Sequence, residues 1–125
     1  MAARIFLALS ALLWLPYGLY CFAHPGYLQA TAGVASVSPT GTTELRAMYG
    51  GLQAAVGALA LAGCLRGAVT RTALSALAVL TAGLGSARLL GVAFDGGFTP
   101  SYTGAGLAFE WTSAVLSTWL LRRSR

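Results

Sequence analysis

The sequence predicts an all-α integral membrane protein: one domain, residues 1–125, folded as a bundle of four membrane-spanning helices. Three observations carry this. Hydrophobic residues make up 57% of the chain and charged residues 9%, against roughly 25% charged in soluble domains. Eight basic and three acidic residues are too few to cover a soluble domain of this length. Four apolar runs, 5–23, 45–65, 72–94 and 104–121, have close to or above the roughly 20 residues that cross a 30 Å hydrocarbon core as a helix. Most of the arginines stand at the ends of these runs.

The first run follows Arg4 and has the basic start and apolar body of a signal peptide, but it is long enough to span and reads as a retained helix. Pro16 lies within it as a potential kink. Residues 24–44, rich in Gly, Ser, Thr and Pro, read as a loop. The second run opens on "TELRAMYGG", residues 43–51. Its "LAGC" at 61–64 matches a lipoprotein processing box but lies mid-chain inside a span. Residues 66–71 read as a tight turn and 95–103 as a second loop. Cys21 and Cys64 fall in different runs, and their spacing fits no zinc motif. No metal or cofactor is predicted.

Arg4, Arg66, Arg71, Arg122, Arg123 and Arg125 share one side of a four-span bundle, whereas 24–44 and 95–103 contain no Lys or Arg. The positive-inside rule then places both termini in the cytoplasm. The net charge of +5 has no basic face interleaved with aromatics, which argues against nucleic acid as a partner.

Removing those six arginines leaves Arg46, Arg88 and all three acids, Glu44, Asp95 and Glu110, in the outer loops or outer half of the spans. Arg88 stands six residues before the end of the third run and Glu110 six after the start of the fourth. Both are therefore about 9 Å deep and natural partners. Arg46, Tyr49 and Gln53 follow i, i+3, i+7 spacing and form a polar stripe. Gly50, Ala54, Ala58 and Ala62, with Gly83, Ala87 and Gly91, form rows of small residues that let helix backbones approach in lipid. Tyr17, Tyr20 and His24 share a face at the outer end of the first helix. Glu110, Ser113 and Ser117 run down the fourth.

Charges in a membrane need partners or water, so this cluster is the candidate site. The competing reading is that Arg46 with Glu44, and Arg88 with Glu110, are salt bridges that fix packing. With two arginines and three acids, one carboxylate is left over. Beside apolar walls it would hold its proton more tightly and could exchange it. The residues that would act in chemistry are Glu44, Asp95 and Glu110. Those that would bind a ligand are Arg46, Tyr49, Gln53, Arg88, Tyr17 and Tyr20.

On "TELRAMYGGLQAAVGAL", "SARLLGVAFDGG" and "FEW", the chain resembles a family of small bacterial integral membrane proteins catalogued as domain of unknown function 4345. The resemblance covers nearly the whole chain. It implies a multi-pass protein of the bacterial inner membrane and marks Glu44, Arg46, Tyr49, Gly50, Arg88, Asp95, Gly96 and Glu110 as matching the family pattern. It implies no activity.

The sequence thus points to an outer-half pocket of arginines and carboxylates binding a lipophilic small molecule, with membrane lipid around it. Cofactor-free acid–base chemistry, of the isomerase or ring-opening hydrolase type, is an extension open to such a site. The alternative is an accessory subunit of a larger membrane complex or a homo-oligomer, its charges serving as packing salt bridges.

Overall fold

The computed structural model describes residues 1–123, so Arg125 lies outside the described residues. The chain is helical throughout these, with no strand among them. Helix α1 (Ala2–Ala23) is followed by the short α2 (Tyr27–Ala32) and by α3 (Pro39–Leu45). A π-helical turn, Arg46–Gly51, joins α3 to α4 (Leu52–Leu65) without a break. Then come α5 (Gly67–Asp95), a second π-helical turn at Pro100–Gly104, and α6 (Ala105–Arg123). Three helical stretches are long and apolar enough to cross a membrane: Ala2–Ala23, Pro39–Leu65 and Gly67–Asp95. The 19 residues of α6 are not among them, because Glu110, Ser113, Ser117, Arg122 and Arg123 lower their hydropathy.

The helices pack in chain order: α1 along α4, α4 along α5, and α5 along α6. α1 and α6 touch more lightly, where the Trp14 and Phe109 rings lie 5.6 Å apart. Five arginines, Arg4, Arg66, Arg71, Arg122 and Arg123, gather at one end. Arg4 lies beside Gly67, and Arg71 donates to the Leu121 carbonyl at 3.5 Å. The apolar core, Leu7, Ala11, Val56, Ala60, Ala73, Leu74, Leu77 and Leu120 among others, fills that half. Many large apolar side chains face outward instead, Leu12 and Val79 among them, while Ser10, Thr81, Glu110, Ser113 and Ser117 are buried. This inversion of a soluble protein's pattern fits a lipid-facing surface, since lipid does not drive apolar side chains inward.

The boundaries differ from the sequence reading in several places: the first helix already starts at Ala2, and the loop expected at 95–103 runs into the π-helical turn at Pro100. The second long helix begins at Pro39 rather than 45, because Ser38 caps it: its side chain accepts from the Gly41 N–H at 3.0 Å, and Pro39 occupies the first turn, where a missing N–H costs nothing. The loop 24–44 also holds α2, anchored by the fully buried Leu28 and ended by Gly33 in the left-handed region, φ 69°. The turn at 66–71 shrinks to Arg66 alone, in an extended conformation, and α5 starts at once at Gly67.

The small-residue rows need correction as well. Gly18, Gly50 and Gly57 are where α1 and the second long helix come closest. A Cβ on Gly18 would lie 2.3 Å from the Ala54 nitrogen, on Gly50 2.7 Å from Phe22 Cβ, and on Gly57 2.4 Å from the Leu15 nitrogen. The contact row therefore runs Gly50, Ala54, Gly57, and Ala58 is exposed. A strict four-residue step drifts around a helix of 3.6 residues per turn, so the row returns to the same face at Gly57. On α5, Gly83 and Gly91 meet nothing within 4 Å and Ala87 is exposed. The buried face there runs through Ala73, Leu77, Thr81 and Gly85.

Candidate functional site

The half of the bundle opposite the arginine end holds an ion pair. Arg88 of α5 grips Glu110 of α6: Nη2 donates to Oε1 at 2.7 Å, and Nε donates to Oε2 at 3.1 Å. This is the bidentate geometry that makes Arg–carboxylate pairs strong and directional. The Glu110 side chain is only 5% exposed, that of Arg88 28%. Gly106, one turn before Glu110, makes the approach possible, since a Cβ there would sit 3.1 Å from Arg88 Nε. The depth match read from the sequence is thus a direct contact. It is the only carboxylate–arginine bridge among the described residues.

Two tyrosines flank the pair, and a third stands beside one of them. The guanidinium carbon of Arg88 lies 5.8 Å from the centre of the Tyr102 ring, a cation–π distance. Tyr49 and Tyr102 are both near enough to interact with the Arg88 charge. Tyr17 of α1 sits beside Tyr102 and Cys21. Each π-helical turn supplies one of these rings, Arg46–Gly51 giving Tyr49 and Pro100–Gly104 giving Tyr102. The second turn is held by Thr99, whose carbonyl accepts from the N–H groups of Tyr102, Thr103 and Gly104, while its own N–H donates to the Thr103 hydroxyl at 3.2 Å. π-helical turns are rare and recur at functional sites.

Other predicted site residues go elsewhere. Arg46 donates from Nη1 to the Phe22 carbonyl and lies over the Phe22 ring, 5.5 Å from its centre. It thus satisfies one of the last carbonyls of α1 and complements that helix's negative end. It forms no bridge to Glu44, contrary to the pairing the sequence suggested. Two residues apart, Glu44 and Arg46 point to nearly opposite sides of the helix and cannot meet; the π-helical turn that begins at Arg46 then changes the directions of the residues after it. Its wider winding takes more residues per revolution than the α-helix assumed by the i, i+3, i+7 stripe. Arg46 faces α1, while Tyr49 lies near Arg88.

Glu44 and Asp95 are exposed, Asp95 at the very end of α5 where Gly96 turns left-handed, φ 69°. Neither joins the Arg88–Glu110 pair, so the surplus carboxylate has no apolar walls around it. Gln53 is half-buried. Tyr20 is exposed and stacks instead with His24 and Tyr27, at 4.8 and 5.1 Å between ring centres. Among the described residues, no group of three His, Cys, Asp or Glu side chains is placed to hold a metal.

Sequence reasoning missed Tyr102, which it left inside a loop. The signal available was its position eight residues before Glu110, a spacing that returns to the same helical face.

The family-wide sequence pattern described as a domain of unknown function (DUF4345) matches residues 2–121, nearly the whole chain. The protein belongs to this family. No curated protein and no solved structure matches it. The DUF4345 match takes in both π-helical turns and the ion pair they flank.

Proposed function

We propose that this DUF4345 protein is a four-span protein of the bacterial plasma membrane, with both termini cytoplasmic, that holds the polar group of a lipophilic molecule at the Arg88–Glu110–tyrosine cluster. The observation that carries this reading is the bidentate pair, with Glu110 buried, that Tyr49 and Tyr102 flank and behind which Tyr17 stands beside Tyr102. A guanidinium has five N–H donors, and Glu110 engages two of its N–H directions. Glu110 thereby fixes Arg88 in place, and the remaining donors with the tyrosine hydroxyls suit an oxygen-bearing head group. Apolar helix faces would accommodate its tail. In this reading α6 crosses the membrane despite Glu110, because Arg88 neutralises that charge within the bundle. The exposure of Glu44 and Asp95 favours binding over acid–base chemistry, since neither acid faces the cluster.

The test uses Tyr49→Phe and Tyr102→Phe, which leave the ion pair intact. Delipidated protein is reloaded with chain-matched long-chain ketone, alcohol and carboxylic acid, and the retained molecule is quantified by mass spectrometry. Wild type should retain at least one of the three, and the double variant should lose it by roughly tenfold while keeping its helical circular dichroism. Equal retention by both proteins would remove the reading.

A second reading, self-association, is favoured by the outward row Gly83, Ala87 and Gly91 on α5, which has no neighbour in the monomer. Under it, Gly83→Leu should convert a detergent-solubilised oligomer to monomer without changing ligand retention.

A further inference from the structure

A concavity extends along α6 from Trp111, the residue after Glu110, to Arg122 at the arginine end. It is a groove of about 410 Å³ between α5 and α6. Ala78, Ala82 and Ala114 keep it shallow-floored, Trp111 and Trp119 flank it, and Arg122 ends it. The groove is apolar along its length. The one hydroxyl in its lining, that of Thr118, donates back to the Ala114 carbonyl at 2.8 Å and so asks nothing of an occupant.

Its dimensions and charge identify what fits. From Trp111 to Arg122 is eleven residues, about 16 Å of helix. That is roughly half of a 30 Å hydrocarbon core, the depth of a single leaflet. At the end of the groove Arg122 is joined by Arg123, whose guanidinium carbon lies 4.0 Å from the centre of the Trp119 ring, a contact that holds the second charge beside the first. Arg71 reaches the same end through the Leu121 carbonyl. The side-chain carboxylates are not at that end: Glu110 lies next to Trp111 at the groove's other end and is held by Arg88, Glu44 lies near the start of the stretch Pro39–Leu65, and Asp95 closes α5.

We propose that this groove is a binding site for an anionic glycerophospholipid, with one acyl chain lying along the alanines between the two tryptophans and the phosphate at Arg122. The chemistry is that of basic, lipid-facing pockets between membrane helices. The site shares no residue with the tyrosine cluster and does not depend on it.

The experiment uses delipidated full-length protein in detergent. It is mixed with equimolar phosphatidylglycerol and phosphatidylcholine of identical acyl chains, and bound lipid is counted by native mass spectrometry. Wild type should favour phosphatidylglycerol by roughly fivefold, about what one arginine near an anionic surface contributes. Arg122→Gln should bring the ratio close to one, and Ala82→Leu, which fills the groove, should reduce retention of phosphatidylglycerol severalfold. Arg4→Gln removes a charge at the same end but outside the groove and should leave the ratio unchanged. A ratio unaffected by Arg122→Gln overturns the proposal. So does an Arg4→Gln effect as large as that of Arg122→Gln, because the preference would then reflect general surface charge. Circular dichroism of each variant identifies any that fails to fold, and the Arg122→Gln ratio decides the matter should Ala82→Leu be such a case.

Discussion

At the scale of single residues, the Arg88–Glu110 pair dominates. With the Glu110 side chain almost fully buried, its charge is tolerated only because the guanidinium meets it in bidentate form. Removing one partner of such a pair costs about 3–5 kcal/mol, whereas removing both in favour of apolar residues is often neutral. Arg88→Leu should accordingly lower the thermal unfolding midpoint in detergent markedly, and Arg88→Leu combined with Glu110→Leu should restore most of it. If the double variant is as unstable as the single, the pair contributes through packing and not through its charges. Arg46 acts differently. Arg46→Gln loses a charge-assisted bond to the Phe22 carbonyl and should destabilise by about 1.5–3 kcal/mol, without altering ligand retention. The pairing of Arg88 with Glu110 was legible in the sequence because two helices of known rise place residues at calculable depths. The destination of Arg46 was not, since nothing in its side chain announces which helix packs against it.

At the scale of elements, glycines do opposite things on neighbouring helices. Gly50 and Gly57 are pressed against Phe22 and Leu15 of α1, so Gly50→Ala or Gly57→Ala forces backbones apart and should cost about 1–3 kcal/mol. Gly83 has no such neighbour. Gly83→Ala should stabilise the monomer by up to about 1 kcal/mol through helix propensity alone. Chemical or thermal unfolding of the three variants side by side checks this. A loss at Gly83 equal to that at Gly50 would mean that its face is occupied, as self-association requires. Periodicity revealed that small residues form rows on these helices; it did not reveal which row faces a partner. That choice is made by the packing order α1–α4–α5–α6, which turns one row inward and leaves another outside.

At the scale of the whole molecule, charge is segregated along the bundle axis, with Arg4, Arg66, Arg71, Arg122, Arg123 and the apolar core in one half and Arg46, the ion pair and the tyrosines in the other. Such asymmetry orients a membrane protein during insertion. In a background lacking Cys21 and Cys64, Ser101→Cys in intact cells should react with a membrane-impermeant thiol reagent. Ala68→Cys and Arg123→Cys should react only after lysis. Labelling of the Arg123→Cys protein in intact cells would show that α6 does not cross, and the four-span reading would be withdrawn.

The sequence by itself determined the helical class, three helices long and apolar enough to cross a membrane and the concentration of charge, because these follow from composition and from the fixed rise of a helix against a fixed hydrocarbon thickness. It also determined that Arg88 and Glu110 stand at one depth. Tertiary structure alone decided who meets whom around a helix: Arg46 with Phe22, Gly57 in contact and not Ala58, Tyr102 beside Arg88, and Glu44 and Asp95 left exposed. Depth is set by distance along the chain, which a sequence records directly. Direction around the axis is set by the accumulated twist of every preceding turn and by which neighbour packs there, and two wide π-helical turns are enough to change it.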